Sequence, residues 1–206
     1  MKSDTKLCVL LSHFFVKKNE IHKFDILKWV IGHYKEQGSF IILSAHGESP
    51  VPQDIADMID CLYWEDSIDI NEIGRGHPRF CIKGYEIARS EGFKRLLKHR
   101  AEDLINNNNV QYFLEQKIQD KSLIISEQTS YEKGLVGDLF HYGDIDYMHS
   151  LWTSQPWQYN NDGGGVVGYG LANETYDNKN LDTTANTSEE AETGIAVSSD
   201  GTKFYI

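Results

Sequence analysis

The chain has 206 residues, 40% of them hydrophobic and 12% aromatic, enough for one ordinary domain with a buried core and a short appendage. Its formal net charge of −11 repels polyanions, which argues against a non-specific nucleic-acid binder. Cys8, Cys61 and Cys81 stand in apolar company at irregular spacing with no CxxC or Cys/His pattern, so they read as core residues of a reduced compartment.

The elements follow in chain order. "KLCVLLSHFF" (6–15) is a continuous apolar run and predicts a strand buried on both faces. In "KFDILKWVIGHYKEQG" (23–38), Phe24, Leu27, Ile31 and Tyr34 recur at helical spacing, and Gly38 supplies the stop. "SFIILSAHG" predicts a second buried strand. "DIADMIDCLYWED" (54–66) reads as a short helix or turn feeding a third strand around Cys61–Tyr63. "INEIGRGHPRF" (70–80) reads as a glycine-containing loop, and "CIKGYEIARSEG" (81–92) as a helix ended by Gly92. "FKRLLKHR" is the next strand, "VQYFLEQKI" a helix, "KSLIIS" and "GLVGDLFHYG" further strands, and "DIDYMHSLW" a helix.

Strands alternating with helices through about residue 155 predict an α/β sheet covered on both faces. The organisation expected is a domain over 1–156 and a tail over 157–206, rich in Gly, Asn and acids. The tail closes in "GIAVSSDGTKFYI", a hairpin signal resembling one strand pair of a β-propeller blade. It is either a fragment of a second module or an extra hairpin on the main domain. "LCVLL" is too short to span a bilayer and "MKSDTK" lacks signal-peptide order, so the expectation is a cytoplasmic protein with no transmembrane segment.

Ligands of such sheets bind at the carboxyl ends of strands, which here are "SHFF", "SAHGES" and "HRAED". The last carries an acidic pair. Asp103, with its short side chain, suits a divalent cation that also holds phosphates; Glu102 is either a second ligand or a partner for Arg100. The guanidinium of Arg100 suits phosphate. The plain alternative is a solvated strand end whose charges bind nothing. Arg79 and Lys83, four residues apart, share one face of a helix that begins near Pro78, whose N-terminus would favour an anion. Alternatively, Arg75 and Arg79 pair with Glu72 and Glu86 on the surface.

The order strand, helix, strand, "GHPRFxxKGxxxAxxxGF" helix, strand ending in "LKHRAED" resembles glycosyltransferases of the GT-A fold. Within them it is most like lipopolysaccharide-synthesis proteins of the WavE type and related domains of large algal viruses. The resemblance covers about residues 5–155. It implies a GT-A-like (Rossmann-like) mixed central sheet flanked by helices, with an irregular C-terminal tail.

It also implies a function: a nucleotide-diphosphate sugar donor, a glycan or other hydroxyl acceptor, and Mn2+ or Mg2+ held by Asp103, in polysaccharide synthesis. Ala101 stands where the first acid of a DxD motif falls, so Asp103 is the expected ligand. Asp138, in a strand before a glycine and a helix, is the expected general base; the alternative is that it caps a turn or bonds local backbone. Ser12 and His13 fall at the exit where this fold meets base and ribose. Asp66 is a further contact, and Tyr63 or Trp64 stacking partners. His141 and His149 read as packing or surface residues.

Without GxxxxGK[ST], GxSxG or HExxH, P-loop kinases and those hydrolases are set aside. The competing functions are nucleotidyl transfer and a non-catalytic module whose tail is the working part.

Overall fold

The structure is a computed structural model. It describes residues 6–66, 73–119, 123–125, 140–153, 157–159, 166–168, 181–183, 195–197 and 204–205.

The apolar run near the N-terminus forms β1 (Cys8–Val16), with Cys8 to Leu11 at most 1% exposed. Helix α1 (His22–Glu36) follows and buries Phe24, Leu27, Ile31 and Tyr34, the residues picked out by helical spacing, together with Val30. Beyond it Gly38 takes a φ of 76°, a left-handed conformation that glycine adopts without strain. The chain returns as β2 (Phe40–Gly47), turns through the short α2 (Gln53–Ala56), and forms β3 (Cys61–Asp66).

The next element departs from expectation. Helix α3 spans Ile73–Ser90, so "GRGHPR" is helical and Pro78 lies within the helix, not at its start. Two glycines and a proline are local breakers, and a proline in the second turn removes one backbone hydrogen bond and crowds the carbonyl of the preceding turn. The apolar face that follows outweighs that loss: Phe80, Cys81, Tyr85 and Ala88 are fully buried. Arg79 and Lys83 therefore sit within the helix, away from the first-turn N–H groups.

Strand β4 (Arg95–Arg100), the two-residue β5 (Ile105–Asn106), α4 (Val110–Ile118), β6 (Leu123–Ile125), β7 (Phe140–Asp144) and α5 (Ile145–Thr153) complete the main body. Asp144 starts α5 by accepting the Tyr147 N–H at 3.0 Å. In the tail, β8 (Trp157–Tyr159) pairs antiparallel with β9 (Val166–Gly168). β10 (Leu181–Thr183) runs parallel to β6. β11 (Ile195–Val197) pairs antiparallel with β12 (Phe204–Tyr205) and, on its other edge, parallel with β5.

Among the described residues the main sheet has the order β10-β6-β7-β4-β1-β2-β3. β1 is parallel to β2 and to β4, β2 is parallel to β3, and β7 is antiparallel to both its neighbours. This is a mixed, mostly parallel α/β sheet flanked by helices, as the alternation of strands and helices predicts. One face packs Leu11, Leu43 and Leu97 against α1 and α4; the other packs Leu10, Ile42 and Leu96 against α3 and α5.

Two local features set the sheet's upper edge. β1 and β2 stay in register to Ser12↔Ser44 and resume at Phe15↔His46, so two residues of β1 oppose Ala45 alone. That is a β-bulge, at the carboxyl end of the central strand. Farther down, α3 comes so close to β1 that a Cβ on Gly84 would lie 2.9 Å from Leu10 Cγ and closer still to both its methyls.

Gly84→Ala should therefore destabilise the fold. Alanine gains about 1 kcal/mol of helix propensity over glycine. Overpacking against an immobile core leucine costs about 1–3 kcal/mol and wins. Urea unfolding should show a net loss, which Leu10→Ala in the same chain partly relieves. A stabilised single variant would mean that α3 does not bear on β1 at this point.

Candidate functional site

From β1 the chain steps to β2 and β3 on one side, then crosses to β4 on the other. In such sheets the carboxyl ends of the two diverging strands open a crevice, the usual place for a ligand. Here those strands are β1 and β4, and at their ends Ser12 and Arg100 are Cα partners across the ladder.

The site begins where β4 stops. After the half-buried Arg100 come buried Ala101, exposed Glu102 and half-buried Asp103. The turn is closed by the Asp103 N–H, which donates to the Arg100 carbonyl at 3.1 Å. The same carbonyl lies 2.6 Å from His99 Nδ1. A carbonyl oxygen only accepts, so His99 carries its proton on Nδ1 and presents Nε2 as a bare acceptor. Nε2 is buried and has no hydrogen-bond partner among the described residues.

The imidazole packs against Tyr34 of α1, ring centroids 5.4 Å apart. The Tyr34 hydroxyl in turn accepts the Ile105 N–H at 3.2 Å. Burial, with Asp103 nearby, pushes the Tyr34 phenol well above its ordinary range. The acidic turn is thus braced from one face of the sheet by a histidine and a tyrosine.

On the other face Lys98 is fully buried, its Nζ 5.2 Å from the centre of the Trp152 ring. Lys98 pairs across the ladder with His141, whose ring is 5.9 Å from the same indole. His141 is buried, as a packing histidine is expected to be, and His149 is partly buried. Alternation along β4 thus sends Lys98 toward α5 and His99 toward α1, both away from solvent.

Beyond the exits of β2 and β3 lies an aromatic and charged cluster. His46 stacks on Phe80 at 4.9 Å with the rings nearly parallel, and Phe15 covers it at 5.1 Å. Burial lowers its pKa to about 4; Glu65 opposes this and Arg79 adds to it. Arg79 pairs with Glu65 at 2.5 Å, and Glu65 also accepts the Tyr63 hydroxyl. Lys83 pairs with Glu86 at 3.2 Å and sits 5.7 Å over the Tyr63 ring. Arg79 and Lys83 thus share one side of α3, as their spacing requires. Both pairs are largely exposed, so each adds little to stability.

The remaining expected site residues are scattered. Ser12 is fully buried, its hydroxyl 3.6 Å from Cys81 Sγ, so it faces α3 and not solvent. His13 is one of the two β1 residues in the bulge. Asp66 ends β3, exposed, opposite Gly47 and two strands away from β1, a separation of about 10 Å. Asp138 lies outside the described residues.

Among the described residues no three His, Cys, Asp or Glu side chains converge as a metal cage. Asp103, with Glu102 beside it, instead suits an ion of the magnesium type, which uses one or two carboxylates and fills its shell with water and phosphate. Among the described residues, too, no helix is long and apolar enough to cross a membrane.

No family model and no curated protein matches the chain. Among solved structures it is similar to a protein assigned as a nucleotide-diphospho-sugar transferase from Desulfovibrio desulfuricans G20. That pair is 13% identical with a TM-score of 0.42, covering 71% of this chain and 67% of that one. It is also similar to the 4-diphosphocytidyl-2C-methyl-D-erythritol synthase of Anaerococcus prevotii DSM 20548, at 10% identity and a TM-score of 0.46, over 77% and 82% of the two chains. The strand order itself defines the fold.

His99 makes stability depend on pH. Burial first, and Lys98 second, lower its pKa to about 4 against the bond to the Arg100 carbonyl, from an ordinary 6.5. Between those values the unfolded chain takes up a proton that the native protein refuses. Stability therefore falls as pH falls from 6.5 toward 4, by at most about 1.4 kcal/mol per pH unit for this one group. Unfolding free energies measured between pH 7 and 4.5 should show a shallower slope in His99→Gln than in the wild type. Equal slopes would mean that His99 is not held neutral.

Proposed function

We propose that the protein is a metal-dependent glycosyltransferase that moves a sugar from a nucleotide diphosphate to a hydroxyl acceptor, in the synthesis of a surface glycan or polysaccharide. The observation that carries this reading is the acidic turn Arg100–Asp103 standing at the carboxyl end of β4, next to β1, where the strand order reverses. The "GHPRF" and "LKHRAED" motifs, which resemble those of WavE-type glycosyltransferases, support it.

The donor's diphosphate lies over this turn, with Asp103 as the metal ligand and Glu102 available beside it. Mg2+ or Mn2+ held by Asp103 would supply Lewis-acid stabilisation of the leaving diphosphate. Arg100 offers the forked donors a phosphate needs, while Arg79 and Lys83 lie over β3, paired with Glu65 and Glu86. Tyr34 and His99 keep the turn in place while the charge moves. The acceptor oxygen bonds to the anomeric carbon as the bond to diphosphate oxygen breaks, and the acceptor proton passes to a carboxylate. By its motif position that base is Asp138. In-line attack of this kind inverts the anomeric centre.

Calorimetric titration of uridine, guanosine, adenosine and cytidine diphosphates and their sugars, with Mn2+ and with chelator, tests the reading. One nucleotide series should bind with metal, and Asp103→Asn should weaken it at least about tenfold, the share of a charged contact. Released nucleoside diphosphate marks glycosyl transfer, whereas released pyrophosphate would assign nucleotidyl transfer. Binding of none of them by the folded protein would overturn the proposal in favour of a non-catalytic module.

A further inference from the structure

The opposite pole of the sheet holds a second concavity that the proposed chemistry leaves unused. It lies at the amino ends of β1 and β4, closed on one side by α4 and on another by the end of β7, with a volume of about 370 Å³. That is the size of a small-molecule site. Lys6, Lys94, Arg95, Glu115, Tyr142 and Asp144 are among its lining residues.

The charges there are not balanced. Glu115 accepts from Arg95 at 2.8 Å and from the Tyr142 hydroxyl, so its carboxylate is already engaged. Burial and Glu115 together push the Tyr142 phenol far above its ordinary range, which keeps it a donor to that carboxylate. Asp144 is engaged as well, by the Tyr147 N–H. Lys6 and Lys94 are exposed, and neither has an ion-pair partner among the described residues. In a chain of net charge −11, this cavity is lined by three cations, Lys6, Lys94 and Arg95, and two carboxylates, of which Glu115 is paired with Arg95.

We infer that this cavity is a binding site for a small phosphate monoester. The ammonium groups of Lys6 and Lys94, without an ion-pair partner among the described residues, would meet the dianion, and Gln111 on α4 a hydroxylated body. β1 and β4 run from this cavity to the crevice, so the two sites stand at opposite ends of the same strands.

The test is titration of the full chain with inorganic phosphate, glycerol 3-phosphate and glucose 6-phosphate, followed by calorimetry and thermal shift. It is run on wild type, Lys6→Gln, Lys94→Gln, the double variant and Asp103→Asn. Both lysines are exposed, so the glutamine variants keep the fold. A phosphate monoester should bind wild type and Asp103→Asn alike, and each lysine variant should lose about tenfold. Three outcomes would overturn the site: no binding to wild type at about 10 mM of any probe, undiminished affinity in the double variant, or displacement by nucleoside diphosphate. The first two leave the crevice reading intact, because they do not involve Asp103.

Discussion

Strand β1 is the constraint on which the other elements depend. It is hydrogen-bonded to β2 on one edge and β4 on the other, and Cys8 to Leu11 are shut off from solvent on both faces. A strand in that position tolerates neither a free backbone group nor a polar side chain without a partner. It therefore dictates that helices lie on both faces, and the close seat of α3 at Gly84 and Leu10 follows. Because the chain leaves β1 in one direction and returns to it from the other, the strand order reverses at β1.

The two ends of the sheet are built from opposite electrostatic arrangements. At the carboxyl end, Asp103 and Glu102 stand beside Arg100, with Lys98 and His99 withdrawn beneath helices on opposite faces. At the amino end the carboxylates are already spoken for, by Arg95, Tyr142 and the first turn of α5, and the lysines are left over. One end therefore gathers acids beside an arginine, the other lysines beside acids that already accept hydrogen bonds.

Much of this was legible from residues alone. The apolar runs at 7–11 and 40–45, and the helical spacing of Phe24, Leu27, Ile31 and Tyr34, each name an element because one local period decides it. The N-terminal part of α3 was not legible: Gly74, Gly76 and Pro78 signal a break, and only packing of the later turns on the sheet overrides them. The acidic pair pointed to the turn after β4, since carboxylates at a strand end are conspicuous. His99 and Tyr34, which brace it, are separated by most of two βα units, and nothing local joins them. Lys98 likewise reads as solvated until Trp152 is seen above it.

The bulge in β1 has a further consequence. Before it, Ser12 lies on the α3 face; after it, Phe14 packs with the α1 cluster and Phe15 lies against His46 on the α3 side. Take His13 away, and Ser12, Phe14, Phe15 and Val16 fall into plain alternation with no side chain changing face. The extra residue is thus neutral to facing: the side chains on either side of the bulge keep the faces they would have without it.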